Sequence, residues 1–315
     1  MRASDVGVLL LLAALWGGSF LFMRIAAPVL GPVWLIEIRV LLAGLALIPL
    51  LLKANAPKES KPEQASLNPI EPHSIPPDQS LGAKIRANLW PLIIVGALNS
   101  AFPFVLFSFA SISLPAGFIS VLNATSPLFG AMVAAVWLKE KLTANRIVGL
   151  VLGLAGVMVL MGWQLVAVTP AFVMACGACL AAALMYAIAA PYIKQRLTGT
   201  SPLLIATVSQ LGAALILVPA LPFTVPSAFP SPMVWLSVLA LALLSTSLAY
   251  PLYFLLIQNI GSTKALTVTF LVPVFAMIWG ALVLQEPITR SMVFGCALIL
   301  LGTAFANGLL KRQSA

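Results

Sequence analysis

Ten apolar runs follow one another along the chain, separated by short polar or proline-containing segments. Each run has about 18–25 residues, enough to cross the ~30 Å hydrocarbon core of a bilayer as a helix. Lipid offers no hydrogen-bond partners, so only helices and closed barrels span it, and barrel strands are much shorter and alternate in polarity. The pattern therefore predicts an all-α polytopic membrane protein. The ten predicted transmembrane helices are approximately 6–27, 33–52, 89–111, 116–138, 146–163, 170–193, 202–221, 233–257, 264–284 and 291–310.

The segment 116–162 is repeated at 262–308, displaced by 146 positions without a gap. Each copy contains an apolar run with one proline, a polar turn with a glutamate and a threonine, and a second apolar run rich in glycine. Such a match in register indicates an internal duplication. The matched pairs are Pro127 and Pro273, Glu140 and Glu286, Thr143 and Thr289, Gly149 and Gly295, Gly156 and Gly302, and Gly162 and Gly308.

The duplication extends towards the N-terminus with a different displacement. A shift of 170 aligns Trp16 with Tyr186, Arg24 with Lys194 and Arg39 with Ser209, whereas a shift of 148 aligns Phe102-Pro103 with Tyr250-Pro251. The 22 extra residues fall in the hydrophilic segment 53–88, whose proline, serine and glutamate content buries little apolar surface. We expect two five-helix repeats, residues 1–163 and 164–315, with 53–88 a disordered cytoplasmic loop.

Five spans is an odd number, so the second repeat enters the membrane inverted relative to the first. With a cytoplasmic N-terminus, the predicted inner loops and the two termini hold nearly all lysines and arginines. The outer loops hold only Arg290, with Arg24 near an outer helix end. Since cytoplasmic loops carry the excess of basic residues, both termini are predicted to be cytoplasmic.

Composition changes the list of possible functions. The chain is 61% hydrophobic and 8% charged, and its net charge of +9 follows from the basic inner loops, so no nucleic-acid partner is expected. Cys176 and Cys179 form a CxxC motif in an apolar run without a histidine or acidic partner, and His73, the single histidine, lies in the polar loop. We therefore expect no metal, no cofactor and no catalytic residues, and the protein is not predicted to be an enzyme.

Inverted repeats with broken helices are typical of secondary transporters, which hold substrate near the midplane where the halves meet. Aromatic and polar residues deep in the spans are therefore substrate-site candidates, with packing as the alternative. Thr246, Tyr250 and Tyr253 share one helix face. Prolines at four positions are expected to kink helices and free backbone carbonyls: Pro103, Pro127, Pro251 and Pro273. The candidates are Trp16, Ser19, Phe20, Arg39, Asn99, Phe102, Asn123, Tyr186, Tyr250, Tyr253 and Thr269.

Arg39 is the most informative of these candidates. It lies about six residues, or roughly 9 Å, into the second span, where a charge needs a partner or a water-filled cavity. We expect Arg39 to face the cavity and attract a carboxylate or another anion. The alternative is a buried structural ion pair, with Glu37 reaching Arg24. Glu37 is otherwise the candidate for proton coupling, because it is the only acid well placed inside a span.

Glu140 and Glu286 resemble a pair of catalytic carboxylates, but the predicted topology places them at opposite membrane faces. Each precedes a threonine by three residues, which suits an N-cap for the following helix at Thr143 and Thr289. We expect these turns to be structural.

The segment 15–20 (LWGGSF), Arg39 and the duplicated proline, glutamate and glycine blocks resemble the drug/metabolite transporter superfamily, above all its EamA-type exporters. The resemblance covers nearly all of the chain and departs from it in the 53–88 loop. It implies a multi-pass carrier of the bacterial inner membrane, a monomer or homodimer, that exports small metabolites such as amino acids, or drugs. Alternating access, either proton-linked or by exchange, is the expected mechanism. A lipid-carrier flippase or an accessory membrane subunit is the alternative.

Overall fold

The computed structural model describes residues 2–56, 80–137, 139–140, 143–162, 169–226 and 228–306. All regular secondary structure in these ranges is helical. Short helices at Leu81–Ala87 and Ser262–Ala265 lie between the longer ones. The longer helices are α1 (Ala3–Ala54), α2 (Leu89–Ser113), α3 (Ala116–Trp137), α4 (Ala144–Gly162), α5 (Pro170–Arg196), α6 (Pro202–Phe223), α7 (Pro232–Ile260), α8 (Val268–Leu284) and α9 (Arg290–Ala306).

The longest helix, α1, reverses direction at Gly31, whose backbone angles are φ 74° and ψ 158°. Ser245 Oγ donates to the carbonyl of Leu15 at 2.8 Å, and Ser247 Oγ donates to that of Ala43 at 3.3 Å. In a continuous helix those carbonyls would be ~42 Å apart, yet they bond to hydroxyls two residues apart. The halves α1N, before Gly31, and α1C, after it, are therefore antiparallel and coincide with the first two predicted spans.

The helices α1 to α7 are long and apolar enough to cross a membrane, and α8 and α9 are apolar helices of 17 residues each. Large apolar side chains on the outer surface, among them Trp90, Val151 and Leu282, suit a lipid environment. The prediction of an all-α multi-pass membrane protein is confirmed.

Three of the four prolines predicted to kink helices, Pro103, Pro127 and Pro251, lie just after irregular turns, and Pro273 lies inside α8. In α2 a π-helical turn, Ala97–Ala101, precedes Pro103, and in α7 a π-helical turn, Leu243–Leu248, precedes Pro251. A proline lacks an N–H and its ring clashes with the carbonyl four residues earlier, so the wider turn accommodates it. The α3 helix is interrupted at residues 124–125 before Pro127, and residues 266–267 are irregular ahead of α8, which contains Pro273.

Glycines allow α4 and α9 to cross with their backbones in contact. A Cβ atom on Gly149 would lie 2.5 Å from the carbonyl oxygen of Gly302, and one on Gly156 would lie 2.9 Å from that of Gly295. Such distances leave no room for a side chain. Small residues of this kind let helices pack closely in lipid, where dispersion contacts drive association.

The sequence prediction of a disordered loop over 53–88 is wrong at its C-terminal end. Leu81–Ala87 is a helix, capped by Ser80 Oγ, which accepts from the backbone N–H of Ala83 at 3.3 Å. Leu81 and Ile85 pack on a buried cluster that includes Leu51 and Leu92, so this short helix buries more apolar surface than its composition predicts. Residues 57–79 and the ends of the predicted spans at 138, 163 and 307–310 lie outside the described residues.

The glycine crossing generates the first prediction. Gly149→Ala places a methyl group against the Gly302 carbonyl, and overpacking of this kind costs about 1–3 kcal/mol. We expect the thermal unfolding midpoint in detergent to fall by roughly 5 °C. Unfolding is measured as loss of the monodisperse peak in size-exclusion chromatography after heating. The matched control is Gly177→Ala, because a Cβ on Gly177 meets nothing within 4 Å. Equal midpoints for the two variants would contradict the close crossing.

Candidate functional site

Arg39 is buried in the middle of the helix bundle and is only 4% exposed. Its Nε donates to Thr246 Oγ1 of α7 at 3.1 Å, and its guanidinium carbon lies 3.6 Å from the centre of the Phe104 ring of α2. The hydroxyl of Thr246 in turn donates to the carbonyl of Leu241 at 2.9 Å. Arg39 is thus held by one neutral hydrogen bond and by a cation–π contact.

The guanidinium of Arg39 lacks the partners that a buried charge normally has. It forms no ion pair with any described residue, and its Nη1 is buried without a hydrogen-bond partner. A buried charge without an opposite charge lowers stability, and the threonine and the aromatic face offset only part of that cost. The structural ion pair considered as the alternative is absent from the described part of the chain.

Polar groups from two further helices surround Arg39. Tyr186 of α5 and Tyr250 of α7 lie near it. Gln210 of α6 donates from Nε2 both to Tyr250 Oη and to Ser100 Oγ, each at 3.2 Å, and its own Oε1 is buried without a partner. We call Arg39, Ser100, Phe104, Tyr186, Gln210, Thr246 and Tyr250 the arginine cluster.

Aromatic rings continue from the arginine cluster towards α1N. Phe107 lies 6.0 Å from Tyr186 and 5.8 Å from Phe20, measured between ring centroids, and the contact with Phe20 is edge-to-face. Trp16 and Tyr253 form a second contact at 5.3 Å. Such arrangements suit aromatic pairs. Four helices, α1, α2, α5 and α7, therefore supply aromatic rings to this part of the bundle.

The other predicted site residues are not all joined to this cluster. Ser19 donates to the carbonyl of Trp16 at 2.6 Å and Thr269 to that of Leu266 at 2.7 Å, so both hydroxyls serve their own helices. Asn99 is half-buried beside Ser100 in the α2 π turn. Asn123 is half-buried at the α3 interruption, and Ser126 donates to its Oδ1 at 3.4 Å. Phe102 is 44% exposed.

Glu37 lies on α1C two residues before Arg39 but does not pair with it. The side chain is buried, and its Oε2 has no hydrogen-bond partner among the described residues. The alternative prediction, in which Glu37 pairs with Arg24, is wrong, because Arg24 Nε donates to Glu286 Oε1 at 3.1 Å. Glu37 therefore remains available as a titratable group inside a span.

The ion pair of Arg24 joins four parts of the chain at the end of the bundle that carries Gly31. Arg24 Nη1 donates to the carbonyls of Ser111 and Ile112, both at 2.8 Å. Glu286 Oε2 accepts from the backbone N–H of Ala116 at 2.9 Å. We call this set the Arg24 clasp. It connects α1N, the end of α2, the start of α3 and the turn between α8 and α9.

The two threonines of the duplicated turns cap helices as predicted. Thr143 Oγ1 accepts from the N–H of Arg146 at 3.4 Å, and Thr289 Oγ1 accepts from that of Met292 at 3.3 Å. The glutamates beside them differ, because Glu140 pairs with Arg146 at 2.7 Å whereas Glu286 belongs to the Arg24 clasp. The sequence predicted that these turns only cap the following helices, and it did not predict the ion pair of Glu286 with Arg24.

Sequence reasoning missed Gln210, Ser100, Phe104 and Phe107. Gln210 carried a signal, since it is an amide in the middle of an apolar helix and follows Ser209, the residue aligned with Arg39. An amide at that depth requires an internal partner. The phenylalanines carried none, because an aromatic ring in a membrane span is ordinary.

Comparison with known proteins assigns the arrangement to a family. The sequence profile of the EamA-like transporter family matches residues 5–162 and 173–308. The chain belongs to the EamA-like transporter family. Its members are transporters and not enzymes, so the coarse function of this chain is membrane transport of small solutes.

Individual relatives agree with membership of the EamA-like family. The uncharacterized transporter YvbV of Bacillus subtilis (strain 168) is 27% identical over 240 residues, covering 72% of this chain and 74% of the relative. The uncharacterized transporter YoaV of the same strain is 32% identical over 189 residues, covering 59% and 64%. A solved crystal structure, described only as that of a protein, shares the fold with a TM-score of 0.63 and 19% identity over the whole of both chains.

The unpaired guanidinium generates the second prediction. Arg39→Met keeps a long side chain against Phe104 and removes a buried charge that no opposite charge compensates, and an uncompensated buried charge lowers stability. We expect an unchanged or higher thermal unfolding midpoint. Arg24→Met is the comparison and should lower it, since Glu286 would lose its ion-pair partner. A large fall for Arg39→Met would show that the charge holds the fold together.

Proposed function

We propose that the protein is a secondary transporter that works by alternating access in the bacterial inner membrane. It exports small metabolites, such as amino acids or related organic solutes, or drugs. It has ten transmembrane helices in two inverted five-helix repeats, residues 1–163 and 164–315, with both termini cytoplasmic. The Gly31 end of the bundle is then the outer end. The molecule functions as a monomer or homodimer in the lipid bilayer.

The glycine crossing supports the inverted repeats. The duplication equates Gly149 with Gly295 and Gly156 with Gly302. A two-fold relation that brings Gly149 to Gly302 must also bring Gly295 to Gly156, and both close approaches occur. The family profile also matches twice, once in each half. The π turns before Pro103 and Pro251, which are equivalent in the two repeats, also support this arrangement.

The arginine cluster supports a substrate site at the meeting point of the two repeats. Arg39, Ser100 and Phe104 come from the first repeat, and the other cluster residues come from the second. Transporters of inverted-repeat architecture bind substrate at this interface, near the midplane. The observation that carries the proposal is the unpaired Nη1 of Arg39, since a substrate carboxylate or other anion supplies the missing acceptor.

The aromatic rings beside Arg39 define the rest of the substrate. Phe20, Phe107 and Tyr186 form an apolar wall next to the charge. A small solute with one anionic group and an apolar portion matches this environment. The anion pairs with Arg39, and the apolar portion packs against the rings.

Solute counterflow in proteoliposomes tests this function. Labelled amino acids and small organic anions are offered to vesicles preloaded with unlabelled solute, with wild type and with Arg39→Ala and Arg39→Lys. We expect saturable exchange of one solute class by the wild type and a rate at least about tenfold lower in Arg39→Ala, because a charge-assisted hydrogen bond is lost. Arg39→Lys should recover only part of the rate, since it lacks the planar fork.

The control for general charge loss is Arg290→Ala, which removes an exposed arginine at the start of α9 and should leave exchange unchanged. Exchange that persists in Arg39→Ala would remove Arg39 from the binding path. A folded wild type that exchanges none of these solutes would contradict the proposal and favour the lipid-carrier flippase or accessory subunit.

Glu37 is proposed as the proton-coupling group of a proton-linked carrier. It is a buried carboxyl with an unpaired oxygen, and no basic residue in the described structure neutralises it. Glu37→Gln cannot titrate, so we expect solute accumulation driven by a pH gradient to be lost while counterflow exchange continues. Glu37→Asp keeps the acid and should keep part of the accumulation. Unchanged accumulation in Glu37→Gln would exclude Glu37 from the coupling mechanism.

A further inference from the structure

The duplication assigns each repeat one basic residue and one glutamate as counterparts. Arg24 of α1N corresponds to Lys194 of α5, and Glu286 corresponds to Glu140. An inverted two-fold relation therefore predicts two equivalent ion pairs at opposite ends of the bundle, Arg24 with Glu286 and Lys194 with Glu140. The structure contains only the first of them.

The pair that is formed is embedded in the Arg24 clasp. The side chain of Glu286 is 13% exposed and that of Arg24 is 30% exposed. Both groups also bond to the backbone of α2 and α3, so four parts of the chain are held together. The Gly31 end of the bundle is closed by these contacts.

The groups of the second pair are apart. Lys194 lies in the last turn of α5, is exposed and forms no ion pair with a described residue. Glu140 is 44% exposed and binds Arg146 of its own turn at 2.7 Å. The counterpart of Arg146 in the other repeat is Met292, which cannot form the equivalent ion pair with Glu286. Arg146 therefore holds Glu140 in a position where Lys194 does not reach it.

Helix packing shows the same asymmetry independently. A Cβ on Gly17 of α1N would lie 2.9 Å from the backbone nitrogen of Ala276, so α1N and α8 are in close contact. The counterparts of these residues are Ala187 of α5 and Gly130 of α3. A Cβ on Gly130 meets nothing within 4 Å. Both parts of α3 contact α5, and near the Gly31 end the rings of Phe118 and Phe172 are 5.7 Å apart, so the asymmetry is confined to the close approach of Gly17, which Gly130 does not reproduce.

We propose that Glu140 and Lys194 form a second gate, which closes the opposite end of the bundle when the Arg24 clasp opens. In inverted-repeat carriers the two repeats exchange conformations between the two states. A contact that one residue pair makes in the first state is therefore made by the equivalent pair in the second state. Glu140 then leaves Arg146 and pairs with Lys194. The proposal rests on the proposed alternating-access function, and it assigns the present structure to the state open towards the Lys194 end.

Chemical cross-linking tests the gate without any substrate. Cysteines replace Glu140 and Lys194 in a background in which the three native cysteines, Cys176, Cys179 and Cys296, are alanine. A short bis-methanethiosulfonate reagent is used, because ion-paired residues hold their Cα atoms farther apart than the roughly 7 Å limit of a disulfide. Cross-linking is measured in membranes with the Arg24 clasp intact and with it broken by Glu286→Gln.

We expect cross-linking of the Glu140→Cys, Lys194→Cys pair to be at least about fivefold faster when the clasp is broken, because the equilibrium shifts to the other state. The matched control is the Glu140→Cys, Arg196→Cys pair, with the second cysteine two residues away on another helix face. Equal rates with and without Glu286→Gln, or equal rates in the control pair, would overturn the gate.

Counterflow is measured with the protein that keeps Glu140 and Lys194, and the result separates this proposal from the proposed transport function. Counterflow together with no clasp-dependent cross-linking of the Glu140→Cys, Lys194→Cys pair would support the carrier function and overturn the gate. Clasp-dependent cross-linking without counterflow of any tested solute would support the gate and reject the proposed solute class. A second test is the exchanged pair Glu140→Lys with Lys194→Glu, which should restore counterflow relative to Glu140→Lys alone. Equal counterflow in the two would contradict a direct ion pair.

Discussion

The constraint on which this structure depends is that hydrocarbon cannot accept or donate a hydrogen bond, so every polar group within the bundle must find its partner in the protein. Most of the buried hydroxyls do so locally. Ser111, Ser120 and Thr125 each donate to the carbonyl three residues earlier. Four buried side-chain atoms in the described chain have no such partner, and they belong to Glu37, Arg39, Ser108 and Gln210. Three of these residues carry charge or an amide, and Ser108 lies one helical turn after Phe104. The exceptions therefore mark one region rather than being scattered.

These contacts join the two halves of the chain. The glycine crossing brings α4 against α9, and Arg39 contacts Phe104 from its own half and Thr246 from the other. The stability lost at an unpaired guanidinium is tolerated because the rest of the bundle is closely packed, as the glycine contact between α4 and α9 shows. An opposite charge placed beside this guanidinium would recover part of the lost stability.

Much of this architecture could be predicted from periodicity and duplication. The spans, the reversal near Gly31 and the depth of Arg39 follow from local composition, because a charge or a proline in an apolar run has few alternatives. The partners of these groups could not be predicted. Arg24 and Glu286 are 262 positions apart, and the sequence suggested Glu37 as a partner of Arg24 only as an alternative. Similarly, the Leu81–Ala87 helix depends on a cluster contributed by Leu51 and Leu92, which composition of the loop alone does not reveal. Local sequence determines where the helices begin and end, whereas the partner of a polar side chain depends on which helices pack together.

The π turn of α7 links helix geometry to the charge of the site. The hydroxyl of Thr246 donates to Leu241, five residues earlier, and an ordinary α-helical threonine would reach a carbonyl three or four residues earlier. Since a hydroxyl has one proton, this donor bond leaves a lone pair facing Arg39 Nε. If the wide turn relaxed to α-helix, the proton would be redirected, the lone pair would rotate away and the guanidinium would lose its anchor. The π-helical geometry of this turn therefore determines how the guanidinium of Arg39 is oriented.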